Sequence, residues 1–428
     1  MNKKYYKNIN ETIYSEKLEN GLSVFVVPKE DFDKTYGIIS VRYGGIDNRF
    51  IPRGEKELVE YPKGIAHFLE HKLFEMEDGV DASLYLTKLG ASSNAFTAFD
   101  RTSYLFSTTS NVIECTKYLL DFVQKPYFTA ENIKKECGII EQEIKMYLDD
   151  PDSKLFWGTL KNLYKDNFVS TDLVGTVESI NKITKEMLYN CYNTFYHPSN
   201  MQLFIIGNVE LNIFDAIREN QASKTFLPYE EIKREYVYDE FKPYINEKKE
   251  YMDVLIPKVA LGVRFNKIFD NPQMIDIKLG LLSSILTGES SDFKLELMNE
   301  GLINDTFGYY SDFNKSASYF ILSGDSEEPD KLFDRLNEFV KDIPNKKIDE
   351  ELFECARRNL IGQYISLLNS IEATAQMYTT CIYSGNDLYT MIDEIKKFKI
   401  SDLDEVKELF KNCIITKYEI FPNDETNE

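Results

Sequence analysis

The sequence predicts an α+β protein of two domains, and three observations carry that expectation. The 428 residues, 43% of them hydrophobic with 29 Phe and 28 Tyr, suffice to bury two cores of about 200 residues each. In each half, β-rich runs come first and helical segments follow, which is the order of a sheet packed by helices. Between the halves, residues 221–242 turn polar and charged around Pro228 without a hydrophobic period, the composition of an interdomain linker. The expected division is a first domain over 1–222, a linker over 223–245 and a second domain over 246–428.

The first strand follows the turn pair Asn20-Gly21 and ends at Pro28, and a second spans Tyr36 to Tyr43. Gly44-Gly45 breaks the run, and the polar stretch from Asn48 to Lys63 leads as a loop into a helix containing Gly64 to Glu75. On that helix His67 and His71 stand one turn apart with Glu70 on the same face, so two imidazoles and a carboxylate converge on one point. This is the geometry of a metal site that carries its own base. The inverted His-x-x-Glu-His order is a zinc-peptidase signature. Only three histidines occur in the chain and two lie in this pentad, which makes random placement a poor explanation. The apolar Phe68, Leu69, Leu73 and Phe74 around the polar three imply a buried helix, whose titratable groups require a partner that a cation supplies.

A short helix is expected from Ala82 to Lys88, closed by Gly90, and then two strands joined at Asp100-Arg101. If the strand from Asn94 to Phe99 lies on a sheet edge beside the metal, its unpaired backbone groups can hold an extended peptide. Thr129 caps a helix from Ala130 to about Leu148, stopped by Asp149-Asp150-Pro151-Asp152. Two histidines leave zinc one protein ligand short of the three used in catalytic sites. A carboxylate of this second helix would complete the set, and Glu136, Glu141 and Glu143 all compete for it, with Glu136 and Glu143 sharing a face. Residues 176–193 have helical spacing, Tyr196-His197-Pro198 ends that segment with His197 as a helix-end residue, and Met201 to Gly207 is a strongly apolar strand. The second half begins with strands at Tyr251 to Ile256 and Val259 to Phe265 and a helix from Ile275 to Leu286. Helices near Lys331 to Val340, Glu350 to Leu367 and Leu403 to Lys411 follow, and this half contains no histidine, so the metal is expected in the first.

The formal net charge of -21 argues against nucleic-acid binding, which needs clustered Lys and Arg. Six cysteines without a Cys-x-x-Cys pair suggest buried thiols in a reducing compartment. No apolar run fits a signal peptide or a membrane span, so a soluble cytoplasmic protein with no membrane partner is expected.

At these residues the chain resembles the pitrilysin and insulinase family of zinc metallopeptidases. The pentad carries the resemblance together with Asn20-Gly21-Leu22, Gly64-Ile65-Ala66, Asn94-Ala95-Phe96-Thr97, the pair Glu136 and Glu143, and Tyr196-His197-Pro198-Ser199-Asn200-Met201, over residues 18 to about 210. It implies two related α/β-sandwich domains of the LuxS/pitrilysin type, each a mostly antiparallel sheet packed by helices, joined into a clam shape. It further implies one zinc per chain held by His67, His71 and Glu143, with Glu70 as the catalytic base and Glu136 as a supporting catalytic carboxylate. Asn94, Ala95, Phe96 and Thr97 would bind substrate. The implied activity is zinc-dependent endopeptidase cleavage of short or unfolded peptides in a closed chamber. One departure bears on this: Leu297 and Asn304 stand where family members that work alone carry an Arg and a Tyr that grip substrate. The resemblance therefore implies the metal-carrying subunit of a heterodimer, with a related family subunit supplying the Arg/Tyr pair. The alternative it leaves is a non-catalytic scaffold or a member associated with modification of elongation factor P.

Overall fold

The structure, a computed structural model, describes residues 1–423, and these divide into two compact units. The first comprises Met1–Glu143, Leu173–Glu235 and Ile365–Met391. Its strands are β1 (Asn2–Tyr6), β2 (Glu11–Lys17), β3 (Ser23–Pro28), β4 (Thr35–Val41), the two-residue pair β5 (Arg49–Phe50) and β6 (Val59–Glu60), then β7 (Ser92–Thr97), β8 (Thr102–Thr108) and β9 (Met201–Gly207). Seven of them form one sheet in the order β1-β2-β3-β9-β4-β8-β7, antiparallel except for the β3–β9 pair. Every residue of the central β4 and β9 is buried, as near-continuous apolar runs require when both faces are covered. Helix Ile371–Tyr383 packs on these two strands, and helix Val112–Val123 on β4 and β8.

The second unit comprises Ile144–Asp172, Tyr236–Tyr364 and the described residues from Ile392 onward. Its sheet contains β10 (Glu247–Met252), β11 (Lys258–Phe265), β12 (Gly308–Phe313), β13 (Ser318–Asp325) and β14 (Cys413–Pro422), in the order β10-β14-β11-β13-β12. It is antiparallel except for β10–β14. Each unit is thus a mostly antiparallel sheet packed by helices, as the α+β expectation had it.

The units are not contiguous in sequence, unlike the division expected at 223–245. The four residues Asp149 to Asp152 both end helix Ala130–Asp149 and begin helix Pro151–Leu163, whose N-terminus Asp150 caps through its side chain. That second helix packs on β11 and β14 of the second unit. At Gly158 the approach is so close that a Cβ would sit 2.2 Å from the Tyr418 ring. Residues 223–246 contain neither helix nor strand beyond an isolated bridge at Arg234.

Two local expectations shift. The segment 176–193 is two helices, Val177–Ile180 and Lys185–Phe195, because Thr184 caps a new start. The strand expected over Tyr251 to Ile256 lies at Glu247–Met252, an edge strand whose alternate side chains face solvent and whose Lys and Glu residues carry no apolar signal. Leu255, 97% exposed, lies in the loop beyond it. Among the described residues no helix is long and apolar enough to cross a membrane, and all six cysteines are free.

Candidate metal centre

The site stands wholly in the first unit, on helix Ile65–Phe74 and the facing helix Ala130–Asp149, with β7 alongside. Gly64 starts the first helix at φ 86°, and a Cβ there would lie 2.5 Å from the Val174 carbonyl oxygen, so only glycine admits this approach. Nearly the whole helix is buried, including His67, Glu70 and Lys72.

His67 and His71 project from successive turns with ring centroids 4.5 Å apart. Glu143 meets them from the facing helix: Oε1 lies 3.6 Å from His67 Nε2 and Oε2 lies 3.7 Å from His71 Nε2. These gaps are too long for hydrogen bonds. They are close to the roughly 3.3 Å that separates two ligands sharing a tetrahedral ion at about 2.0–2.1 Å. The three ligand atoms all fall within 4.8 Å of one another. Two imidazoles and one carboxylate are a donor set of catalytic zinc sites, so the residues fit that metal.

Electrostatics agree with the donor set. Burial pushes the His67 pKa down to about 3, with His71 adding to the shift, so this ring offers a free lone pair at neutral pH. Burial also lowers His71, but the Glu136 hydrogen bond and the charges of Glu136, Glu70 and Glu143 outweigh it and raise its pKa. The surrounding carboxylates therefore demand positive charge at this point. His71 Nδ1 lies 3.0 Å from Glu136 Oε1, which leaves Nε2 facing Glu143. Burial pushes Glu136 up, yet its bond to His71 and the charges of His71 and Lys72 bring it below the usual carboxylate range.

Glu70 is different. Burial pushes its pKa up to about 7, against the opposing pull of Thr97 and His71. Thr97 Oγ1 donates to Glu70 Oε2 at 2.6 Å. A carboxyl that titrates near neutrality can accept a proton and give it back. Beside it opens a cavity of about 380 Å³ lined by Glu70, His71, Phe74, Glu75, Asn94 and Ala95.

The strand beside this cavity is the sheet edge, since among the described residues β7 pairs with β8 alone. The Ala95 N–H points off the sheet and donates to the Asn94 side-chain oxygen at 2.9 Å. That oxygen occupies the place a peptide carbonyl would take on strand addition. Phe96 is half-buried between them and Thr97, with the Arg101 guanidinium over its ring.

Of the competing carboxylates, Glu141 accepts a 2.7 Å bond from Asn181 and lies outside the group. His197 is elsewhere: Nδ1 contacts Ser199 and Nε2 lies 3.0 Å from the Leu227 carbonyl. In the second unit Leu297 is fully buried, and Asn304 accepts from Thr306. A further trio there, Glu247, Asp330 and Glu419, is already ion-paired with Lys417 and Lys249. Two site features escaped the sequence reasoning: the Thr97 hydroxyl as a partner of Glu70, and Lys72. A lysine inside the apolar run Phe68, Leu69, Leu73, Phe74 was the available signal for the second.

Comparison with known proteins places the chain in a family. A family model described as insulinase (peptidase family M16) matches residues 51–177, which contain all the candidate site residues, and one described as the peptidase M16 inactive domain matches 182–360. The uncharacterized zinc protease YmfH of Bacillus subtilis (strain 168) is 42% identical over 405 residues, covering 94% of this chain and 94% of that protein. The uncharacterized zinc protease YmxG of the same organism is 23% identical over 76% of this chain and 78% of its own length. Among solved structures, one described as an M16-like peptidase from Alicyclobacillus acidocaldarius superposes with a TM-score of 0.90 at 32% identity, covering 96% of this chain and 99% of that chain. A protease from Helicobacter pylori shares the fold, with a TM-score of 0.80 at 20% identity over 96% of this chain and 99% of that one. The chain belongs to the insulinase family of peptidases, family M16.

Proposed function

We propose that this protein is a zinc-dependent metalloendopeptidase that cleaves short or unfolded peptides. The observation that carries the reading is the convergence of His67 Nε2, His71 Nε2 and both Glu143 oxygens, with Glu70 on the adjoining face of the same helix. Membership of a peptidase family and the relatives named zinc proteases support it.

His67, His71 and Glu143 would hold the ion, and Glu136 would keep the His71 ring in the orientation that presents Nε2. Zinc bound there would supply Lewis-acid polarisation of a carbonyl and a more acidic water. Glu70 takes the proton of the attacking water on the carboxylate that Thr97 holds, and returns it to the departing amine. The β7 edge aligns an extended substrate through backbone groups, with Ala95 N–H donating to a peptide carbonyl in place of the Asn94 side-chain oxygen.

The protein acts as the metal-carrying subunit of a heterodimer. The support is that Leu297 lies in the second unit's core and Asn304 serves a local turn, so neither side chain can do the work of the family's Arg and Tyr. A fluorogenic-peptide assay on the chain alone, after adding a related family subunit, and with chelator tests both statements. Glu70→Gln should keep the metal and abolish hydrolysis; wild-type turnover by that variant would overturn the base assignment. Turnover by the isolated chain would overturn the heterodimer, and no chelator-sensitive turnover in any mixture would favour a non-catalytic member of the family.

A further inference from the structure

Lys72 follows His71 in sequence and is wholly buried, its side chain 0% exposed. An ammonium taken out of water costs several kcal/mol unless charged partners surround it. The last turn of a helix favours a cation, but a solvated one would serve that purpose as well. What distinguishes Lys72 is its set of partners. Its Nζ bonds Glu75 and lies 3.7 Å from Glu136 Oε2, and the other oxygen of Glu136 contacts His71 Nδ1 at 3.0 Å. His71, Glu136, Lys72 and Glu75 thus form one continuous chain of polar contacts. It runs from a metal-facing imidazole to a carboxylate on the cavity beside Glu70.

Glu136 belongs to a different helix from His71, and a carboxylate held at one oxygen alone can rotate about its terminal bond. Bonded by the imidazole at one oxygen and drawn by the charge of a buried ammonium 3.7 Å from the other, it is biased toward one orientation. We propose that Lys72 is a positioning residue for the metal site: it clamps Glu136 from the side opposite His71 and thereby fixes the ring whose Nε2 faces Glu143. The inference rests on the zinc reading above and extends it to a residue that touches neither ion nor substrate.

The test is a double-mutant cycle on metal affinity in the full chain. Zinc is titrated against a competing chelator for wild type, Lys72→Met, Glu136→Gln and the double variant, and thermal melts of the metal-free proteins are recorded in parallel. Lys72→Met should weaken zinc binding about 10- to 100-fold, the range seen when the partner of a ligating histidine is lost. In the Glu136→Gln background the same change should alter affinity less than about threefold, because its route of action has been removed. The visible spectrum of the cobalt(II)-loaded protein should shift in Lys72→Met, a response that a generally loosened fold with intact coordination would not give. Glu75→Gln removes the carboxylate that Lys72 bonds and serves as the second variant should Lys72→Met fail to fold; the affinity it loses should be lost through Glu136, and a loss as large in the Glu136→Gln background as in wild type would count against the proposal. Zinc binding by Lys72→Met within twofold of wild type, or equal losses in both backgrounds, would overturn it. If wild type binds no zinc, the metal reading falls and this inference with it; if wild type binds and Lys72→Met is unaffected, only the inference falls.

Discussion

Replacing Thr97 with valine removes one hydroxyl and keeps the shape of the side chain. That hydroxyl donates to Glu70 Oε2 at 2.6 Å and stands 3.4 Å from Thr102 Oγ1, so its loss falls chiefly on Glu70. Glu70 is 6% exposed, and water cannot readily replace the lost donor. A hydrogen bond to a charged group contributes roughly 1.5–3 kcal/mol. If all of it serves to hold the base in position for proton transfer, kcat should fall about 10- to 150-fold at 1.36 kcal/mol per decade. Metal content should stay at the wild-type level, because the hydroxyl contacts none of His67, His71 or Glu143. Thr97→Ser keeps the donor and should recover most of the activity. Steady-state peptide hydrolysis with parallel zinc analysis provides the measurement. A valine variant with kcat within twofold of wild type, or a serine variant as impaired as valine, would refute the role given to this hydrogen bond.

Two further expectations concern metal retention and pH-dependent stability. Glu143→Gln should purify with little zinc while Glu141→Gln keeps a full complement, since Glu141 is engaged by Asn181; elemental analysis of the two proteins decides it. In the second unit, burial raises the Asp276 pKa from 3.8 to about 6 despite a hydrogen bond from Ser311. A folded-state value above the unfolded one means a contribution to stability that is full below 3.8 and lost as pH rises through 6. Asp276→Asn should remove that dependence and stabilise the protein at pH 8 by roughly 1–3 kcal/mol, read from urea denaturation at several pH values; an unchanged pH profile would contradict it.

Much of the site was legible because it is local. His67, Glu70 and His71 share a helical face by spacing alone, and helix spacing survives in any fold that buries that face. The same holds for the punctuation at Asp149 to Asp152 and for the apolar strand Met201–Gly207. Charge alternation at Glu247–Met252 hid an edge strand, because an edge exposed to water has no apolar pattern to display.

Other features depended on how the elements meet. Glu136, Glu141 and Glu143 are equally placed by spacing, and only the family resemblance singled out Glu143; the rotation of their helix against Ile65–Phe74 brings Glu143 to both Nε2 atoms, Glu136 to His71 Nδ1, and Glu141 to Asn181. The burial of Lys72, the bond from Thr97 to Glu70, and the position of β7 at the sheet edge all join residues from separate elements. So does the packing of Pro151–Leu163 on β11 and β14, which made the compact units discontinuous. The sequence by itself determined which residues could carry metal chemistry, because periodicity along one helix places them together. Only the tertiary structure showed the physical reason that Glu143 and not Glu141 joins them, and what orients each one, because those contacts arise between elements whose relative rotation no local pattern encodes.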